Sequence, residues 1–313
     1  MFSVDQLRRL FRGKIVIGGQ IARYTTFKIG GQADFYFEPA DPGDLSVLVN
    51  ILNERGFPFI LLGNRSNYLV SDRGYRGAAI NLAPGIGGIR LDGEYVIAGA
   101  GATLRDFVDF CIDEGFHGAE MLAGIPGTLG GAIISNERAY GGTISDHLVE
   151  VEIIRRGEPV TLSKEGVIFG FKYSSIQDDI VLSAKFKFPT GERSEMKRVR
   201  RELLLRRQES HPEESADAGW IFKNPVMNSA ARLVETCGMK GFRIGNARVS
   251  DKNANFVVNL GGAASSDVVR IITRIEEEVR TESGISLELE VRLLGFTEDA
   301  DAKLEEIFSR ETR

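Results

Sequence analysis

Two short turns in this chain combine glycine with small hydroxyl and amide residues in a way that can hold an anion. One is Gly124-Ile125-Pro126-Gly127-Thr128-Leu129-Gly130-Gly131; the other is Gly63-Asn64-Arg65-Ser66-Asn67, directly after the apolar run from Phe57 to Leu62. Glycine permits positive φ and leaves peptide N–H groups bare to a ligand. Successive bare N–H groups form a concave anion site that suits a cofactor pyrophosphate. Pro126 fixes one φ and stiffens the entry to its loop. The same residues would also serve tight turns with no ligand, and composition alone leaves both readings open.

Other chemistry is weaker. Y-V-I-A-G-A-G-A-T-L-R-D-F at 95–107 has the strand, G-x-G and helix opening of a dinucleotide fold. Its third glycine position is Leu104, and no terminal acid follows on a second parallel strand. Thr103 with Asp106 three residues later reads better as a helix N-cap with an acid in the first turn. His117, His147 and His211 are too scattered for a recognisable metal site, and none is expected. The basic run 191–209 is laced with glutamates, which favours a solvated connecting helix over a nucleic-acid surface.

The elements that must position these turns follow from periodicity. Residues 3–12 carry Val4, Leu7, Leu10 and Phe11 at helical spacing. Residues 24–39 read as a strand, a glycine turn and a second strand ending at Pro39; 44–55 is a helix stopped at Gly56. A helix over 104–115 buries Leu104, Phe107, Val108, Cys111 and Ile112. Beyond the glycine stretch the texture becomes β: a hairpin at 148–162, whose second strand Pro159 demotes to an edge, and an alternating strand at 180–188. Helices are predicted at 229–237 and 267–282, with strands at 255–260 and along L-E-L-E-V-R-L-L-G-F, 287–296. Residues 298–313 read as a charged amphipathic helix.

Length and composition bound the rest. The 313 residues suffice for two domains, and 42% hydrophobic with 27% charged residues describes an ordinary globular protein. The net charge of −5 gives no reason to expect nucleic acid. Cys111 and Cys237 lie far apart in apolar surroundings and read as reduced residues rather than a disulfide framework. No apolar run approaches the ~20 residues of a membrane helix, and residues 1–13 lack a signal-peptide h-region. A cytoplasmic monomer without membrane insertion is expected.

I-P-G-T-L-G-G-A at 125–132 and S-N-E-R-A-Y-G at 135–141 resemble the flavin-binding core of the UDP-N-acetylenolpyruvoylglucosamine reductase family. Y-T-T-F-K-I-G-G-Q-A-D at 24–34 resembles that family's opening motif, and the 63–67 turn resembles its second pyrophosphate loop. Further matches run through F-K-N-P at 222–225, 229–245 and 250–259. The resemblance covers about residues 20–296, and the compact C-terminal part is similar to the family's shorter, second type.

It implies an α+β fold. A two-part FAD-binding domain of the vanillyl-alcohol-oxidase-like type would span 21–190 (about 21–90 and 91–190). A smaller α/β substrate-binding domain would span 200–296, flanked by an N-terminal segment, 1–20, and a tail, 297–313. It implies FAD against Gly63, Asn64, Arg65, Ser66, Asn67, Gly124, Ile125, Pro126, Gly127, Thr128, Gly130 and Gly131. It also implies NADPH as reductant and a UDP-sugar enolpyruvyl ether as substrate in peptidoglycan precursor synthesis.

By the same resemblance Lys223, Asn224 and Lys240 would bind the nucleotide diphosphate, and Glu290, before Val291-Arg292, would assist catalysis. Two positions depart from the family pattern. Lys172 stands where the family's F-G-Y-R segment has arginine, keeping the charge without the planar fork. Trp220 stands where A-G-S-x-F-K-N-P has the proton-donating serine, and an indole N–H is a donor only. The departures leave open a paralogous flavoprotein with another substrate, or a catalytically silent homologue.

Overall fold

The computed structural model describes residues 4–63, 67–212 and 216–296. The chain groups into two compact units. One gathers Met1–Val16, Phe35–Asn64 and Gly77–Arg207; the other gathers Ile17–Asp34, Arg65–Arg76 and Gln208–Arg313. The segments of the two units alternate along the sequence, where the expectation was of contiguous domains at 21–190 and 200–296. The cause is hydrogen bonding at long range within the second unit. Tyr68–Val70 pairs in parallel with Arg292–Leu294. The Asp72 carboxylate accepts from the Ser265 N–H at 2.8 Å and its hydroxyl at 2.9 Å, and Asn259 Nδ2 donates to the Phe27 carbonyl at 2.9 Å.

The first unit holds a five-stranded antiparallel sheet in the order Glu158–Ser163, Leu148–Arg155, Ile180–Lys187, Tyr95–Gly99, Ile89–Asp92. Pro159 lies on the edge strand, where its missing N–H costs no ladder bond. A second sheet of the unit pairs Phe59–Leu62 in parallel with Tyr75–Asn81. Helix Pro42–Glu54 buries Leu45, Leu48, Val49 and Leu52 and starts from Asp41, whose carboxylate accepts the Asp44 N–H. The Asp44 carboxylate, itself buried, accepts N–H bonds from Arg12, Gly13 and Ala40 at 2.8–2.9 Å. Helix Leu104–Asp113 opens at Thr103, whose hydroxyl accepts the Asp106 N–H at 3.0 Å. It buries Leu104, Phe107, Val108, Cys111 and Ile112.

The second unit packs helices Ala230–Thr236 and Ser265–Ser283 with an antiparallel sheet in the order Ala216–Asp217, Val257–Asn259, Ala247–Val249, Arg243–Ile244. Two strand expectations fail here. The first strand of the 24–39 segment is absent: Ile21–Tyr24 is a 3-10 turn, and strand begins only at Ala33. Lys28 and Gly30 have positive φ, which breaks an extended run. The long closing strand is reduced to Arg292–Leu294, preceded by one bridge between Phe222 and Leu289. The tail helix expected at 298–313 lies outside the described residues. Among those described, no helix is long and apolar enough to cross a membrane.

Candidate active site

In the first unit the main glycine turn is strapped to the G-A-G-A segment beside it. The Leu104 N–H donates to the Gly127 carbonyl at 3.1 Å, the Leu129 N–H to Ala102 at 2.9 Å, and the Gly130 N–H to Ala100 at 2.9 Å. The G-x-G of 99–101 has a packing role: a Cβ on Gly99 or Gly101 would run into the carbonyl oxygens of Ile86 or Leu82. Gly127 is different. Its φ is +142°, and nothing lies within 4 Å of where a Cβ would stand, so its bare face looks onto open space.

Gly63 belongs beside it. A Cβ on Gly63 would come within 2.8 Å of Thr128 Oγ1, so the two turns predicted as anion sites meet at Gly63 and Thr128. Gly124 has φ +79° and lies under the Arg207 side chain. Asn64, Arg65 and Ser66 lie outside the described residues. Asn67 belongs to the second unit, where its Nδ2 donates to the Glu290 carbonyl at 3.0 Å.

Glu120 opens the glycine stretch and is 1% exposed, yet it carries a carboxylate. That group accepts the Gly118 N–H at 2.7 Å and lies 2.7 Å from His117 Nδ1. Burial pushes the nearby Cys111 thiol far above its ordinary pKa, and the Glu120 charge adds to the effect. Burial also lowers the pKa of His147, whose ring lies 4.6 Å from that of Phe188.

Lys172 sits in the two-residue turn between Phe169–Gly170 and Tyr173–Ser174, with φ +53°. Its ammonium lies 3.0 and 3.1 Å from the two carboxylate oxygens of Glu137. Asn136, next to Glu137, donates through Nδ2 to the Gly170 carbonyl at 2.9 Å. Its Oδ1 is buried with no hydrogen-bond partner in the structure. The sequence reading missed both Asn136 and Glu137. The only signal was their place in S-N-E-R-A-Y-G, since their partners lie more than thirty residues on.

In the second unit the Ile221 carbonyl accepts the N–H groups of Glu290 and Val291 at 2.9 and 3.3 Å. Trp220 and Glu290 thus occupy neighbouring positions on paired segments. Trp220 is 37% exposed. Asn224 Oδ1 accepts the Ala230 N–H at 2.9 Å, which anchors the start of helix Ala230–Thr236. Lys223 pairs with Glu288 at 3.3 Å and Lys240 with Glu235 at 2.8 Å. The structure brings Gly63 and the 124–131 turn together with one another, and Trp220 with Glu290; Lys172 belongs to the first unit.

Two family models match the chain. Residues 33–163 match the FAD binding domain, and residues 211–294 match the C-terminal domain of UDP-N-acetylenolpyruvoylglucosamine reductase. The UDP-N-acetylenolpyruvoylglucosamine reductase of Chloroherpeton thalassium is 38% identical over 96% of this chain and 100% of its own. This chain belongs to the UDP-N-acetylenolpyruvoylglucosamine reductase family. The enzyme of that name from Geobacter metallireducens is 40% identical over 93% of this chain and 97% of its own. The crystal structure of the Thermus caldophilus reductase superposes with a TM-score of 0.77 at 32% identity, covering 90% of this chain and 99% of that one. The fold is accordingly α+β, an FAD-binding domain with a smaller C-terminal domain.

Proposed function

We propose that this chain is an FAD-containing, NADPH-dependent reductase of UDP-N-acetylglucosamine enolpyruvate, giving UDP-N-acetylmuramate. The observation that carries the reading is similarity along essentially the whole chain to reductases of that name. It favours the reductase over a silent homologue or a paralogue with another substrate. The residues present fit the cofactor. Gly127 offers a bare face, Gly63 allows the second turn to close on Thr128, and the Asn136 oxygen is left for a donor that the protein does not supply.

FAD, when bound, would supply the hydride chemistry that links NADPH to the enolpyruvyl double bond. This chain's residues have the other tasks. Gly63 and the 124–131 turn hold the pyrophosphate, with Asn64, Arg65, Ser66 and Asn67 in the second loop. Lys223, Asn224 and Lys240 bind the substrate diphosphate. Lys172 meets the negative charge that develops on the enolpyruvyl group, and Glu290 assists. Trp220 cannot supply the proton that completes the reduction after hydride addition, so water or a neighbouring hydroxyl delivers it.

The product feeds peptidoglycan synthesis, and through it cell-wall biogenesis, cell shape and division. The free cysteines Cys111 and Cys237 fit a reducing compartment, which supports a cytoplasmic enzyme, and we take it to act as a monomer. The test is a visible spectrum of the purified protein, then stopped-flow reduction by NADPH and reoxidation by the enolpyruvyl substrate. A yellow protein reduced by NADPH and reoxidised by that substrate is expected. A protein that takes up no FAD, or whose reduced flavin ignores the substrate, overturns the reading.

A further inference from the structure

We infer that Glu137 is a positioning residue for Lys172, setting where its ammonium stands during turnover. The inference rests on the reading of Lys172 as the cation that meets the developing charge.

Three contacts fasten the turn bearing Lys172 to the end of the glycine-turn helix, Leu129–Ile134. Ser174 Oγ donates to the Ile134 carbonyl at 2.8 Å, Asn136 Nδ2 to the Gly170 carbonyl at 2.9 Å, and Lys172 Nζ to both oxygens of Glu137. The first two hold backbone. Only the third fixes the reacting end of a long side chain, whose rotamer freedom is large. Glu137 is itself held: Ser135 Oγ donates to Oε2 at 3.1 Å, and the Glu137 N–H donates to the Ala132 carbonyl at 2.8 Å. Its side chain is 19% exposed against 40% for Lys172, so the anchor is the more buried partner.

The left-handed backbone at Lys172, uncommon outside glycine, aims the side chain from a turn otherwise free to fray. An ammonium carries three N–H donors and a carboxylate can take two of them, leaving one for a substrate oxygen. Glu137 therefore orients Lys172 without consuming it.

The test is a double-mutant cycle of Glu137→Gln and Lys172→Ala in the FAD-loaded protein. It is read in substrate-dependent reoxidation, with NADPH reduction, substrate affinity from the flavin absorbance shift, and melting temperature as controls. Glu137→Gln should slow reoxidation roughly fivefold, the scale of a partly exposed ion pair, and leave the controls unchanged. In the Lys172→Ala background the same substitution should do nothing further. Equal losses in both backgrounds overturn the proposal, as does no loss in either. If Lys172→Ala leaves reoxidation intact, the reading of Lys172 fails instead, which is a separate result. Glu137→Asp keeps the charge but shortens the reach. It should also slow reoxidation, and it serves if the glutamine variant does not fold; wild-type reoxidation in a folded Glu137→Asp protein overturns the proposal.

Discussion

The backbone N–H of Glu290 donates to the carbonyl of Ile221 at 2.9 Å, one residue beyond Trp220. The pairing puts a carboxylate-bearing residue and the indole on neighbouring backbone positions. Trp220 follows Gly219, whose φ is +80° and whose N–H donates to Asp217 Oδ1 at 2.7 Å. The turn fixes the backbone while the ring stays partly exposed.

Trp220→Ser should therefore change chemistry more than stability. A positioned general acid contributes about 10²–10⁴ in rate, so the substrate-dependent reoxidation step should rise in the variant. Reduction by NADPH needs no such acid and should stay the same, as should the melting temperature. Stopped-flow traces of the two half-reactions decide it. If the variant binds substrate without gaining rate, the missing-donor account is wrong.

On the role proposed for Lys172, Lys172→Ala should lower turnover more than substrate affinity, because the charge it would meet develops late in the reaction. A loss of about 10²-fold in kcat is expected, on the scale of a preorganised charge stabiliser. Steady-state kinetics separate the two parameters, and an equal fall in both places Lys172 in ground-state binding.

Gly127→Ala should strip the protein of flavin. The new Cβ would project into the open face described above, on a backbone with φ +142° that alanine resists. Gly56→Ala is the control: its φ of +58° is also left-handed and its surroundings are open, but it lies at the end of helix Pro42–Glu54. It should cost about 1 kcal/mol of stability and keep its FAD. The ratio of visible to ultraviolet absorbance after gel filtration reads both, and a fully loaded Gly127→Ala protein refutes the cradle.

His147 should make the protein less stable in mild acid. Burial lowers its pKa; Asp146 and the Lys187 carbonyl raise it, and His117 and Lys164 add to the lowering. The folded state thus binds the proton less tightly than the unfolded chain, whose value lies near about 6.5. Above that pH His147 imposes no penalty; below it the unfolded state gains protons first and stability falls. His147→Gln should start less stable, having lost its ring contact with Phe188, but should lose less on going from neutral to mildly acidic buffer. Melting curves across that range test it, and parallel pH profiles for the two proteins would falsify it.

What could be read beforehand was local. Thr103 with Asp106 marked a helix start, and the apolar spacing after it marked the buried face. Pro159 marked an edge strand. The glycines of 124–131 marked a special turn, because positive φ and close approach leave a trace in residue type. What escaped depended on distant partners. The extended look of 24–32 concealed Lys28 and Gly30 with left-handed backbones. Glu137 looked like any surface acid until Lys172, 35 residues later, was seen against it. Asp72 gave no hint that it would meet Ser265, 193 residues on.

The parallel pairing of Tyr68–Val70 with Arg292–Leu294 also sets a timetable for the newly made chain. Asn67 and Glu290, which share a hydrogen bond, are separated by 223 residues. At roughly 5–20 residues per second, the ribosome needs on the order of ten to forty seconds to deliver the second after the first. Throughout that interval Phe27, Ile29 and Leu69, all destined for the second unit's core, wait without their partners. The first unit has all its segments by Arg207 and can fold while the chain is still being synthesised. The second must wait until Leu294 has been made, so a chain stalled or truncated before then carries a finished first unit together with sticky, unfinished segments. Chaperone demand should therefore concentrate on chains cut short between Arg207 and Leu294.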